Sequence, residues 1–426
     1  MWEQQSRGLG DVYKRQVIFC YAEKGNEKLL KRNTKDTYNF KINGSQIFFI
    51  AFVIFFVSSF IQDTTLAEAL NGRFLRLCSY ISLPLLLFKI YFMDRWSKKE
   101  LFVISILILL GMITWRMAHE LQLLIIVPFV VGAKNVNFKD IITWYVYLNV
   151  ILLLTMAIFS LLGIIPNLIY RAAPRPPRYS LGLIYTSSLA THYFYLVLAY
   201  CYLRFSKLRW TDYLLIIIGD VIFMMITNTK LDFIATLIVI PVMFIAQRAF
   251  RGHKLSEILA SFWWMAVPIT SSIIIFASYF YDGSNHIMKA VDDLTSGRLG
   301  LGHRALTNYD INILGQTIVE HTYGGSKGLK LANQLNGVSH YFFIDSSYIR
   351  MFLLWGLLAF ILIIVYMTYI AMRSIFRRTF VLAAIILIAS LNFMFEPDII
   401  KIIYDPFLLA LFATPCFYKI QEEKDK

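Results

Sequence analysis

Charge is scarce in this chain. Only 16% of its 426 residues are Asp, Glu, Lys or Arg, against 58% hydrophobic and 16% aromatic. Soluble domains carry about 25% charged and roughly 45–50% apolar residues, so the composition excludes an ordinary water-soluble globule. Cysteine is scarce too. Cys20, Cys78, Cys201 and Cys416 show no CxxC spacing, and three lie in apolar runs, so they form neither a zinc site nor a disulfide framework. GxxxxGK[ST], HExxH and GxSxG are all missing, and Asp292-Asp293 is merely a pair of adjacent acids rather than a DxD motif. ATP-driven transport and metallo-hydrolysis lack their machinery, no metal or cofactor is expected, and any chemistry must draw on energy already stored in the substrate.

What the chain has instead is long apolar runs, at 46–61, 74–93, 101–115, 121–133, 141–163, 182–203, 213–229, 231–247, 257–280, 348–371, 380–396 and 400–418. Several are long enough to cross about 30 Å of hydrocarbon. The expected fold is therefore all-α: a polytopic integral membrane protein with about twelve transmembrane helices. Residues 1–44 read as a cytoplasmic N-terminal segment, in which 1–16 (MWEQQSRGLGDVYKRQ) has the look of translated linker text. Residues 45–280 hold helices one to nine with a connection at 164–181, 281–347 form one long extracytoplasmic loop, 348–418 hold helices ten to twelve, and 419–426 form a cytoplasmic tail.

The net charge of +14 does not point to nucleic acid, because the cations sit in short gaps between apolar runs. With the N-terminus inside, the inner connections carry Arg95, Lys98 and Lys99; Lys134 and Lys139; Arg204, Lys207 and Arg209; Arg248, Arg251 and Lys254; and Arg373, Arg377 and Arg378. This satisfies the positive-inside rule and predicts that both termini are cytoplasmic. Two outer segments then break it. The connection 164–181 holds Arg171, Arg175 and Arg178, and the long loop holds Arg298, His303 and Arg304.

Guanidinium groups bind phosphate bidentately, so outer arginines facing one vestibule would clamp a diphosphate. Arg171 and Arg175 fit snorkelling to lipid headgroups equally well. Arg178 follows Pro176-Pro177 ahead of a helix start, where a fixed φ aims the chain, and reads as functional. His192, inside the sixth run, is either a functional titratable group or a satisfied core histidine. Asp220 sits mid-span, and Asp232 is placed to pair with Lys230. Asp345 opens the tenth run beside Ser346, Ser347 and Tyr348, where it is either an N-cap or a site residue.

The segments PRYSLGLIYTSSLATHYFYLVLAYCYLR and SGRLGLGHRALTNYDINILGQTI, followed by GG and YFFIDSSYIRMFLLWGLLAF, together resemble two signatures of the Wzy-type polysaccharide polymerases, those of low-GC Gram-positive bacteria above all. These are an Arg-x-Ser-Leu-Gly run before a mid-chain helix, then a loop with an early Arg, a central Gly-Gln and an Asp-Ser-x-Tyr before the next helix. With the number of runs, the likeness covers nearly the whole chain after about residue 40. One departure is Tyr185-Thr186-Ser187 where many members carry a proline, so Tyr185 is left out of the expected site.

The resemblance implies a bacterial plasma-membrane enzyme that polymerises undecaprenyl-diphosphate-linked oligosaccharide repeat units on the outer face. Arg178 and Arg298 would contact the diphosphate or its sugars, Arg304, His303, Asp345 and Tyr348 would line the same vestibule, and His192 would sit at its floor. His303, His192 or Asp345 would supply the general base. Implied partners are the lipid-linked substrate, membrane lipids, a chain-length regulator and a flippase of the same pathway. A ligase-like transferase shares the outer arginines. A lipid-linked oligosaccharide flippase is the alternative of another class, kept open by Asp220 and opposed by the long loop and the lack of a repeat between halves.

Overall fold

The computed structural model describes residues 43–171, 176–334 and 341–414; the segment before residue 43, Arg175 and the tail 419–426 lie outside these. The helices are α1 (Gly44–Gln62), α2 (Gly72–Phe88, extended by a π turn, Lys89–Met93), α3 (Lys98–Ala118), α4 (Gln122–Gly132), α5 (Phe138–Leu161), α6 (Thr186–Arg204), α7 (Trp210–Thr227), α8 (Lys230–Phe250), α9 (Lys254–Ser261) and α10 (Ala266–Tyr279). Three short helices follow, α11 (His286–Leu294), α12 (Arg298–Asn308) and α13 (Gly325–Gln334). Then come α14 (Ser347–Arg350, continued by a π turn, Met351–Trp355), α15 (Leu357–Phe376) and α16 (Val381–Asn392). A two-stranded antiparallel ribbon, β1 (Ile169–Tyr170) with β2 (Arg178–Tyr179), lies between α5 and α6.

Among the described residues, eight helical stretches are long and apolar enough to cross a membrane: α1, α2 with its π turn, α3, α5, α7, α8, α9 with α10, and α15. Their outward faces carry Phe102, Leu154, Leu215, Phe276 and Val365 exposed, a density that water would not tolerate but lipid does. The chain is thus a membrane-embedded helical protein. Inside, α1 presents Phe48, Phe52, Phe56 and Phe60 at every fourth position, all fully buried. Phe129 of α4 wedges between them, 5.0 Å from the Phe55 ring. Local signals set the helix ends: Ser97 and Glu100 cap α3 reciprocally, and Asn228 closes α7 in the left-handed conformation.

Two expected helices differ. The tenth run is not one helix: Gly356, at φ 89°, breaks it between Trp355 and Leu357. The break receives the irregular stretch 310–316 of the hydrophilic segment, with Leu357 N donating to Asn312 O (2.9 Å) and Gln316 N to Leu354 O (3.1 Å). Over 400–414 the chain is turns and a 3₁₀ turn at Phe407–Ala410 instead of a continuous helix. Pro406 lacks the amide that helix continuation would need. Here Lys401 pairs with Asp398 (2.8 Å), and Asp405 Oδ1 accepts from Phe407 N (2.9 Å).

The fold beyond Tyr279 is held to the bundle by charge as well. Arg350, 5% exposed, donates to Glu120 at the α3–α4 turn (2.6 Å) and to Glu320 of the hydrophilic segment (2.7 Å). Two carboxylates and good geometry offset the desolvation of a buried guanidinium. The Gly356 break gives a stability prediction. A Cβ there would lie 2.3 Å from Gly315 N and 2.5 Å from Ile313 O, whereas one at Gly252 (φ 87°) would meet nothing within 4 Å. Both alanine variants take on left-handed strain of about 1–3 kcal/mol. Gly356→Ala should lower the thermal midpoint of the purified protein well beyond Gly252→Ala, and equal shifts would show that the docked 310–316 stretch is dispensable.

Candidate functional site

At one end of the bundle, seven chain segments converge on a cavity of about 340 Å³. Asp63 follows α1, Arg178 lies on β2, Thr186 to Thr191 start α6, and Asn228 to Asp232 join α7 to α8; Ser296 and Arg298 open α12, Asp345 precedes α14, and Glu396 to Tyr404 follow α16. Three helix N-termini, of α6, α8 and α12, therefore face the cavity, and each brings the positive end of a backbone dipole.

Arg178 is delivered differently from the sequence-based expectation. It stands in the β1–β2 ribbon, not at a helix start, because Leu181 and Gly182 adopt positive φ (47° and 89°) and delay α6 to Thr186. Its Nε donates to Thr227 O, the last residue of α7, at 2.8 Å. The ribbon is in turn tied to the end of α1, with Ile184 N on Asp63 O (3.1 Å) and Thr65 N on Gly182 O (2.8 Å). Arg298 reaches the same cavity from α12. Its Nη2 donates to Glu396 Oε1 at 2.6 Å, and its Nε lies 3.9 Å from Asp345 Oδ2. The Nε–H makes no hydrogen bond among the described residues and is buried.

Asp345 keeps an oxygen clear of a true hydrogen bond to Arg298. Burial pushes its carboxyl above the ordinary range, while Arg298 and Arg350 pull the other way. Burial likewise raises Asp63, which accepts from Tyr404 Oη and is drawn back by Lys401. Lys401 itself pairs with Asp398 at 2.8 Å. Despite five carboxylates, no three acid, histidine or cysteine side chains among the described residues make a metal-holding group.

Of the expected site residues, Arg178, Arg298 and Asp345 are brought together. The other four are not. His303 turns from the cavity on α12, its Nδ1 3.0 Å from Ser278 O and its ring against Tyr281. Arg304 lies over the Phe342 ring at 5.5 Å. Tyr348 is buried inside the bundle, its hydroxyl between Thr270 Oγ1 (2.9 Å) and Ser390 O (3.1 Å). His192 lies one layer beneath, wedged between Phe60 and Tyr404 with ring centroids 4.9 and 4.3 Å away, so Tyr404 and not His192 forms the floor. Both imidazole nitrogens lack a hydrogen-bond partner among the described residues. Asp232 does not pair with Lys230: its Oδ1 lies 3.4 Å from Thr191 Oγ1 and 3.5 Å from Asn392 Nδ2. Asp220 does not line the cavity, and Tyr185, set aside on sequence grounds, does.

Sequence reasoning missed Asp63, Glu396, Asp398, Lys401 and Tyr404. A signal exists in FEPDIIKIIYDP, where four charges and two prolines interrupt the last two apolar runs. Compared with known proteins, the chain matches no family model, no curated protein and no solved structure.

The raised Asp345 carboxyl carries a pH dependence. The folded chain holds this proton to higher pH than the unfolded chain, so the cost of burying the charge appears only as pH rises through the folded value. Asp345→Asn should raise the thermal midpoint at about pH 8, with the gain shrinking toward about pH 4. A gain independent of pH would rule out burial of the carboxylate as its cause.

Proposed function

We propose that the protein is a polyprenyl-diphosphate-sugar-dependent glycosyltransferase that lengthens a surface polysaccharide by joining lipid-linked repeat units on the outer face of the bacterial plasma membrane. The observation that carries the proposal is that Arg178 and Arg298, 120 positions apart and both set against the charge rule for membrane proteins, line one cavity with three helix N-termini. Arginine forks and backbone amides suit a diphosphate. With twelve crossings and cytoplasmic termini, every segment that contributes to the cavity falls on the outer side, and the arginine- and lysine-rich connections fall inside. The crossings include the short α4, the buried α6, and the non-helical stretch after Glu396.

In the proposed reaction, an acceptor sugar hydroxyl attacks the anomeric carbon of the growing chain. The bond from that carbon to the diphosphate oxygen breaks, and its electron pair leaves on the diphosphate, where Arg178 and Arg298 meet the developing charge. The hydroxyl proton passes to Asp345, since His192 and His303 do not line the cavity. A carboxyl raised by burial is a better base than a solvated one. Glu396 holds Arg298 in place, so the guanidinium is aimed before the substrate arrives.

The test is a deletion strain whose lipid-linked saccharides are extracted and assigned to a leaflet. Single repeat units on the outer leaflet with no long polymer support polymerisation. Units trapped on the inner leaflet mean a flippase, long polymer that never leaves its carrier means a ligase, and unchanged pools overturn all three. Arg178→Ala and Arg298→Lys should each reduce polymer by about 10²-fold or more at unchanged protein level, as loss of a charge-stabilising donor does. The lysine keeps a charge against Glu396 while removing the fork. Normal chain lengths in both variants would overturn the shared clamp.

A further inference from the structure

The chain folds back on itself where α10 reaches the edge of the membrane. α10 ends a stretch long and apolar enough to cross a bilayer, and Phe276, Tyr279 and Phe280 at its end are exposed. Aromatic residues of this kind gather where acyl chains give way to headgroups. Only residues 280–285 separate α10 from α11. They form a compact turn, with Asn285 N donating to Asp282 O (3.1 Å) and Asp282 N to Met288 Sδ (3.3 Å), so α11 starts beside the end of α10. Asn285 Oδ1 accepts from Ile287 N (2.9 Å) and caps the new helix.

The residues of α11 sort into three faces, roughly a third of a turn apart. Met288 and Asp292 are half-buried and turn toward the protein. Asp292 Oδ1 accepts from Gly300 N (2.9 Å), its Oδ2 from Tyr281 Oη (3.1 Å) and its backbone O from Gly297 N (2.8 Å), which ties α11 to the first turn of α12 on either side of Arg298. His286, Lys289 and Asp293 form an exposed polar face. Ile287, Val291 and Leu294 form an apolar stripe at helical spacing, with Ile287 76% and Leu294 73% exposed.

We propose that α11 is an in-plane membrane anchor. Its Ile287–Val291–Leu294 stripe lies among the acyl chains of the leaflet at the cavity end of the bundle, and it holds the start of α12, with Arg298, at that depth. A helix at a bilayer surface beside a bundle meets protein, water and lipid on three sides, and the three faces of α11 match them in turn. The stripe also continues the lipid-facing end of α10, which favours the bilayer over a protein partner. None of this depends on what the cavity binds.

The experiment places the photoreactive residue p-benzoylphenylalanine singly at position 287, 294 or, as a control, 289 of the full chain in phosphatidylglycerol nanodiscs. After irradiation, mass spectrometry should find phospholipid adducts at 287 and 294 in about tenfold excess over 289. Equal yields at all three positions, or products at 287 and 294 that join two copies of the chain, would overturn the seat in the membrane. Leu294→Asp, and Ile287→Ser as the milder change, should raise amide hydrogen exchange over residues 297–301 by about tenfold, as loss of a buried aliphatic side chain does. Unchanged exchange in α1 checks that the variants are folded. Wild-type exchange over 297–301 in both variants would overturn the hold on α12.

Discussion

Backbone amides and carbonyls have no water to turn to within a bilayer, and everything at the polar end of this bundle depends on how that constraint is met after Glu396. The stretch from Glu396 to Thr414 runs from the cavity to the opposite end, where Thr414 N donates to Val136 O at 2.8 Å and Phe138 N to Thr414 O at 3.0 Å, without forming a continuous helix. Side chains from the surrounding helices supply what the helix would have supplied. Tyr145 Oη of α5 donates to Tyr404 O (2.8 Å). Tyr366 Oη and Arg373 Nη1 of α15 donate to Leu408 O and Leu411 O, and Ser347 Oγ of α14 donates to Glu396 O. Nearly every residue from Ile399 to Ala410 is buried, so the irregular backbone meets protein and not lipid.

That arrangement explains why the cavity can exist where it does. A regular helix would present one residue in three or four to the site, whereas the irregular stretch turns Glu396, Asp398, Lys401 and Tyr404 toward it together. Glu396 then fixes Arg298, and Asp398 fixes Lys401. The ion pairs are geometrically linked: each cation that faces the cavity from α12 or the C-terminal stretch is held by a carboxylate from that same stretch.

The apolar runs made the α-helical membrane fold legible, because length and composition alone identify a crossing. Arg178 and Arg298, on segments expected on the outer side, and Asp345 before α14 were legible for a different reason, since each stood against a local rule. What could not be read was the direction of side chains within a helix. His303 and Arg304 lie five and six residues beyond Arg298 on a short helix, between one and two turns, and its winding sends them away from the cavity. Tyr348 and His192 are polar residues that packing draws inward, and nothing in their sequence neighbourhood marks which neighbour they meet. Glu396, Asp398 and Lys401 were hidden for the opposite reason: the apolar residues around them read as ordinary spans, and only tertiary partners make the irregular path tolerable.

The docking of Gly315 against Gly356 bears on how far the protein is modular. The polar region between Tyr279 and Ser347 has the size of a small domain, yet its backbone is stitched into a broken helix of the bundle at 312–316, and its Glu320 shares Arg350 with the α3–α4 turn. Cut free, it would lose the backbone partners at Leu354 and Leu357, leave Glu320 without its counterion and leave Arg350 with Glu120 alone. It is a lid woven into the frame that carries it, so exchanging this region between related chains would carry over its surface without the register that positions Arg298.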